Sequence, residues 1–203
     1  MFLGSCRKYH NFLLNKFSFL KAHSFFDNEI VAHVSMAYPT SEGLMNACEE
    51  AIKKDKIEYQ RNGTYVVMEG PQFSTLAESN LYRSWKVDVI GMTNMPEAKL
   101  SREAEIRYAS ISMVTDFDSW SSEHDNVDLQ MLLETMGKNV EKSKKFIFNF
   151  SNKYFSNLDF SNDNTSTILN TSIVTQYEHW NKKVEVKLLN ILKRFKQENN
   201  VGS

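Results

Sequence analysis

Asp116 and Asp118 stand two residues apart in the run Thr115-Asp116-Phe117-Asp118-Ser119-Trp120, directly after an apolar stretch. If the backbone turns there, both carboxyl groups can face one ligand. A carboxylic acid can donate to a purine ring nitrogen, and a carboxylate can accept from an exocyclic amine. In cleavage of an N-glycosidic bond, protonating the leaving purine relieves the negative charge that would otherwise build up on it. The same spacing also suits a turn, a helix cap or a pair of metal ligands.

Two more runs of this character precede it: Glu69-Gly70-Pro71-Gln72-Phe73-Ser74 and Gly91-Met92-Thr93-Asn94-Met95-Pro96-Glu97. Each follows a short apolar stretch, as loops at the carboxyl ends of strands do, and open α/β sheets bind ligands there. Phe73 could stack on a planar base or fill a core. Met92 fits as core filler. His33 falls on an apolar stretch, where a satisfied core histidine is the default, and His124 lies in a polar one. Neither histidine has a spacing that suggests zinc or a catalytic triad.

The elements that must position these loops can be read from periodicity. Residues 30–34, 64–68, 87–92 and 107–115 read as strands, being short, apolar and β-branched. Residues 41–54 have helical spacing through Leu44, Ala47, Cys48 and Ala51. Ser74 or Thr75 caps a helix reaching about residue 85, and Pro96 opens a short one through 105. A long helix is expected from 125 to about 150, with Leu129, Leu132, Leu133, Met136 and Val140 in step. Alternating strands and helices predict an α/β domain with a mostly parallel or mixed sheet.

Four segments follow from this reading: a divergent N-terminal stretch at 1–23, the α/β domain at 24–150, a polar loop or extension at 151–175, and one amphipathic helix at 176–203. The 203 residues carry a net charge of -1, with 41% hydrophobic and 24% charged residues. That composition suits a globular chain with a sizeable core. It gives no electrostatic reason to expect nucleic acid or an anionic membrane as partner. The N-terminal stretch is too polar to span a bilayer. The two cysteines, Cys6 and Cys48, have no metal-ligand or redox-motif spacing, so reduced thiols and a cytoplasmic location are expected.

Taken together, the three runs resemble a known family. Met68-Glu69-Gly70-Pro71-Gln72-Phe73-Ser74-Thr75 with Ala77-Glu78, then Ile90-Gly91-Met92-Thr93-Asn94-Met95-Pro96-Glu97, then Thr115 to Trp120, are similar in order and spacing to the motifs of methylthioadenosine phosphorylases, within the purine nucleoside phosphorylases. The similarity runs from about residue 24 to 150, with Ser24-Phe25-Phe26 and Ala32 to Ala37 also family-like. Thr171 to Thr175 is more weakly similar to the C-terminal extension of some bacterial members.

The resemblance implies a phosphorylase-type mixed sheet flanked by helices. It implies phosphorolysis of 5'-methylthioadenosine to adenine and 5-methylthioribose 1-phosphate, with phosphate as co-substrate and no metal or organic cofactor. It also implies a homotrimer. By position, Asp116 and Asp118 would meet the N7 and N6 edge of adenine. Phe73 would pack on the base, Met92 would bind the ribose and Thr93 would reach phosphate. His33 and Leu132 would line the methylthio pocket, and Ser74 and Leu129 would bear on substrate choice. Paired aspartates favour a 6-aminopurine; the 6-oxopurine branch commonly uses Asn and Glu.

The chain also departs from the family pattern. The family's Gly-rich phosphate loop, Arg-His pair and Thr-Ala step have no counterpart here. Gly4-Ser5 and Asn15 to Phe19 are at best remnants of familiar stretches, and Tyr38 stands where an acidic residue is usual. The first part of the sheet is therefore expected to be missing, leaving an unpaired edge and bare apolar faces. Two other readings stay open: a non-catalytic relative that binds purine or oligomerises, and a phosphorylase for another purine nucleoside.

Overall fold

The computed structural model describes residues 12–15, 24–26, 30–120, 129–153 and 158–201; at 12–15, 129, 131, 132 and 153 it describes the backbone alone. Its centre is a three-stranded parallel sheet in the order β1-β2-β3, formed by Phe12–Asn15, Thr64–Val67 and Val89–Gly91. The register places Leu14 opposite Val66 and Val66 opposite Ile90. Val66, Val67 and Met68 are buried, as a parallel strand covered on both faces requires.

Helix α1 (Glu42–Lys54) begins where Ser41 accepts a hydrogen bond from Leu44 N–H. Glu42 in its first turn and Lys53 and Lys54 in its last complement the helix dipole. Cys48, Ala51 and Ile52 form its buried face and meet Phe146 of α4 (Leu129–Lys153), with Ile57, Tyr59, Ile111 and Phe150 around them. Burial raises the Cys48 thiol to about 11, so it behaves as a small apolar residue.

Helix α2 (Leu76–Ser84) starts with a reciprocal capping box: Thr75 Oγ1 accepts from Glu78 N–H, and Glu78 accepts from Thr75 N–H at 2.9 Å. Helix α3 (Glu97–Glu103) follows β3 and packs Ala98 against Tyr65, Val67 and Met95.

Several expected elements take another form. Residues 107–115 make no strand. The Tyr108 carbonyl accepts from Ser41 N–H and the Val114 carbonyl from the Asn139 side chain, so this backbone is satisfied by loop and helix partners instead of a ladder. Residues 30–34 reduce to one antiparallel bridge, Ala32 with Ile173. The polar segment 151–175 is not all loop. It holds a 3-10 turn, Asn164–Thr167, and a short helix α5, Leu169–Ser172, with Thr165 and Leu169 buried.

The C-terminal helix is two helices, α6 (Lys182–Lys187) and α7 (Leu189–Glu198), after a 3-10 turn at Tyr177–His179. The break falls at Leu188, and Leu188 and Leu192 both lie in a core with Phe26, Ile30, Leu169 and Trp180. That core fastens the extension to the domain, aided by a bidentate pair between Arg194 and Glu105. The α4 face turned away from α1 remains bare: Leu133, Met136, Val140 and Ile147 are all exposed.

Glu49 on α1 accepts from Tyr59 Oη at 2.5 Å, from Lys53 at 2.9 Å and from Arg61. Partial burial works to raise its carboxyl, but the hydrogen bonds from Tyr59, Lys53 and Arg61 outweigh burial and hold it at about 2, below its ordinary 4.5. A lowered folded-state value contributes stability above pH 4.5 that disappears as pH falls towards 2. Glu49→Gln is therefore expected to lower the urea midpoint at pH 7, with the gap to the unmodified chain closing over that acid range. Parallel midpoint-versus-pH curves would contradict this assignment.

Candidate active site

The first two polar runs lie beyond the ends of β2 and β3, and the third run, which follows no strand, meets the first. The first loop, 69–74, leaves β2 and the second, 91–97, leaves β3 in parallel register, with Met68 N–H donating to the Gly91 carbonyl at 2.9 Å. Gly70 has φ +72°, and a Cβ there would lie 2.7 Å from Met92 Sδ. Glycine takes that dihedral without strain, and its lack of a Cβ leaves room for the Met92 thioether. Met92 is half-buried under the first loop as a result.

The second loop is tied from below. Tyr65 is buried within β2, and its hydroxyl lies 3.4 Å from Thr93 Oγ1. Asn94 is buried with φ +77°, and its Oδ1 accepts from Tyr108 Oη at 2.8 Å and Ser110 Oγ at 3.0 Å. Asn tolerates the left-handed region better than most residues. Burial first, and then the Glu97 charge, raise the Tyr108 phenol to about 12, so it stays a neutral donor to Asn94 across the physiological range. Asn94 thus joins the second loop to the segment that leads into the third.

The third loop, 115–120, meets the first directly: Ser119 Oγ donates to the Ser74 carbonyl at 2.9 Å. Asp116 is exposed, with Oδ1 accepting from Thr115 Oγ1 at 2.5 Å, and Asp118 is half-buried. Phe117 and Trp120 meet edge-on with centroids 5.7 Å apart.

The remaining expected residues fall as follows. Phe73 is 81% exposed, so it is not core filler; its ring faces solvent beside the buried Ser74. The Ser74 hydroxyl turns inward, 3.8 Å from Met68 Sδ. Thr93 is exposed. His33 is not a core histidine either. It is exposed, and its backbone N–H donates to the Ser172 carbonyl of the extension. Leu129 and Leu132 lie on α4, and their side chains, like His124 and Cys6, are outside the described residues. A separate recess lined by Met45, Cys48, Arg61 and Ser110 has about 10 Å³ of free space, no more than one water needs. Among the described residues no group of His, Cys, Asp and Glu could hold a metal ion, and no helix is long and apolar enough to cross a membrane.

The loop-forming residues are those singled out from the sequence. Of the residues that bind the loops together, Asn94 and Ser119 lie inside those runs but had no role read for them, although Asn after a strand end is a turn residue; Tyr65 and Tyr108 lie outside the runs and carry no spacing signal.

Comparison with known proteins adds an independent observation. A family profile described as "Phosphorylase superfamily" matches residues 13–152. The S-methyl-5'-thioadenosine phosphorylase of Cereibacter sphaeroides is 54% identical over 130 residues, covering 64% of this chain and 45% of that protein. Its namesake from Rhodospirillum rubrum is 52% identical over 130 residues, covering 64% and 44%. This chain therefore spans less than half the length of these curated relatives. Among solved structures, a methylthioadenosine phosphorylase from an antarctic soil metagenomic library superposes with a TM-score of 0.76 at 33% identity, covering 90% of this chain and 63% of that one. A methylthioadenosine phosphorylase from Schistosoma mansoni in complex with adenine gives 0.72 at 26%, covering 80% and 64%.

The contact between Gly70 and Met92 can be tested directly. Gly70→Ala introduces both the Cβ overlap and a left-handed alanine, at a cost of about 1–3 kcal/mol. A lower denaturation midpoint is expected, and adding Met92→Ala should restore only the part due to overlap. An unchanged midpoint for Gly70→Ala would show that the first two loops do not meet as described.

Proposed function

The chain belongs to the phosphorylase superfamily, and from that premise we propose that its reaction is phosphorolysis of 5'-methylthioadenosine to adenine and 5-methylthioribose 1-phosphate. One observation supports the proposal: the first loop lies against Met92 of the second at Gly70 and meets the third through the Ser119 hydroxyl, so the three runs adjoin. The names of the relatives supply the substrate class.

Each residue then has a task. A phosphate oxygen attacks C1' of the ribose as the C1'–N9 bond breaks, and the electron pair of that bond goes to the purine. Asp116 donates a proton towards N7 and Asp118 accepts from the 6-amino group, so the departing adenine leaves neutral. The proton adenine gains is balanced by the one hydrogen phosphate gives up on becoming a monoester. Phe73 supplies a flat apolar face for the base. Met92, narrowed against Gly70, borders the ribose, and the Thr93 hydroxyl faces the phosphate. His33 and Leu132 border the methylthio group, and Ser74 and Leu129 limit which nucleosides fit. No organic cofactor or metal takes part, and the working form is a cytoplasmic homotrimer.

Purified chain incubated with methylthioadenosine and phosphate is expected to release adenine, and to do so faster than it releases hypoxanthine from inosine. Asp116→Asn should lower turnover at least about tenfold, as loss of a general acid does. Adenine binding without any turnover would leave a purine-binding relative in place of an enzyme. Faster turnover of inosine would assign the site to 6-oxopurines.

A further inference from the structure

Arg83 stands in the last turn of α2, away from the three loops in sequence. Its guanidinium carbon lies 4.0 Å from the centroid of the Trp120 ring. Trp120 in turn meets Phe117 edge-on, and Ser119 between them donates to the Ser74 carbonyl at 2.9 Å. The two aspartates are thus flanked by residues that are each held: Phe117 by Trp120, Trp120 by Arg83, and Ser119 by Ser74. No regular secondary structure carries residues 106–118, so side-chain contacts of this kind must set the course of the loop.

We infer that Arg83 is a positioning residue for the aspartate loop, acting through the Trp120 ring to fix the direction in which Asp116 and Asp118 meet a purine. The inference rests on the function proposed above for what the loop grips. Arginine suits the task because its planar, weakly hydrated guanidinium stacks on indole while its edge stays solvated. It does not touch the base, so its loss loosens the loop without removing a reacting group.

The test separates the latch from the function it serves. The chain is labelled with 5-fluorotryptophan, and the Trp120 fluorine resonance is assigned with Trp120→Phe. Adenine binding is measured by calorimetry on the unmodified chain, Arg83→Gln and Arg83→Lys, and circular dichroism checks that all three remain folded. Arg83→Gln is expected to shift or broaden the Trp120 resonance, leave that of the buried Trp180 in place, and weaken adenine about two- to fivefold, the range an exposed cation–π contact supplies. Arg83→Lys, which keeps a cation over the ring, should recover part of both. An unmoved Trp120 resonance in Arg83→Gln overturns the latch, whatever adenine does. Equal adenine affinity in Arg83→Gln and the unmodified chain overturns its positioning role. Failure of the unmodified chain to bind adenine overturns the proposed function instead, and with it the purpose given to the latch.

Discussion

Two loops leave the same end of a narrow parallel sheet, a third meets the first of them, and Gly70 is where the first lies against the second. A left-handed glycine lets the first loop settle on the Met92 thioether, at the end where β2 and β3 lie in parallel register. Everything polar at that end is arranged around this approach. Thr93 sits over the Tyr65 hydroxyl, and Asn94 gathers hydrogen bonds from Tyr108 and Ser110. Any side chain at position 70 would be strained at this dihedral and would press on the Met92 thioether, and the third loop is joined to the first through Ser74.

The rim is rigid below and open above. Tyr65 and Asn94 are buried, whereas Phe73, Thr93, Asp116 and Phe117 face solvent. Burial below supplies the apolar packing that resists distortion, and exposure above leaves the chemistry-bearing groups accessible to a ligand. The exposed Phe73 ring takes no part in the buried core.

Much of this could be read from residue order. Thr75 with Glu78 announced the start of α2, Ser41 that of α1, and the three loop runs carried the resemblance to their family. Residues 107–115 were misleading because β-branched content signals a strand only where a neighbouring strand supplies a ladder; here Ser41 and Asn139 satisfy part of the backbone instead. The break at Leu188 left no mark in the sequence either. The apolar spacing from Val184 to Phe195 is continuous, and Leu188 and Leu192, four residues apart, would share one face of an unbroken helix as well. Arg83 had no pattern at all, and Ser119, though inside a quoted run, had no role assigned, since a stacking contact and a single hydroxyl leave no period in a sequence.

Arg102 on α3 is buried, and its guanidinium reaches the Ser35 carbonyl, Thr165 Oγ1 and Asn164 Oδ1. A cation withdrawn from water in this way must keep its acceptors. Two of them belong to the C-terminal extension, and α3 begins directly after the second loop. The extension is therefore no detachable tail. Opening α3 without the 164–172 stretch would strand that charge, so their amide hydrogens are expected to exchange together, and a protease that trims the chain ahead of residue 164 would slacken the far end of the molecule.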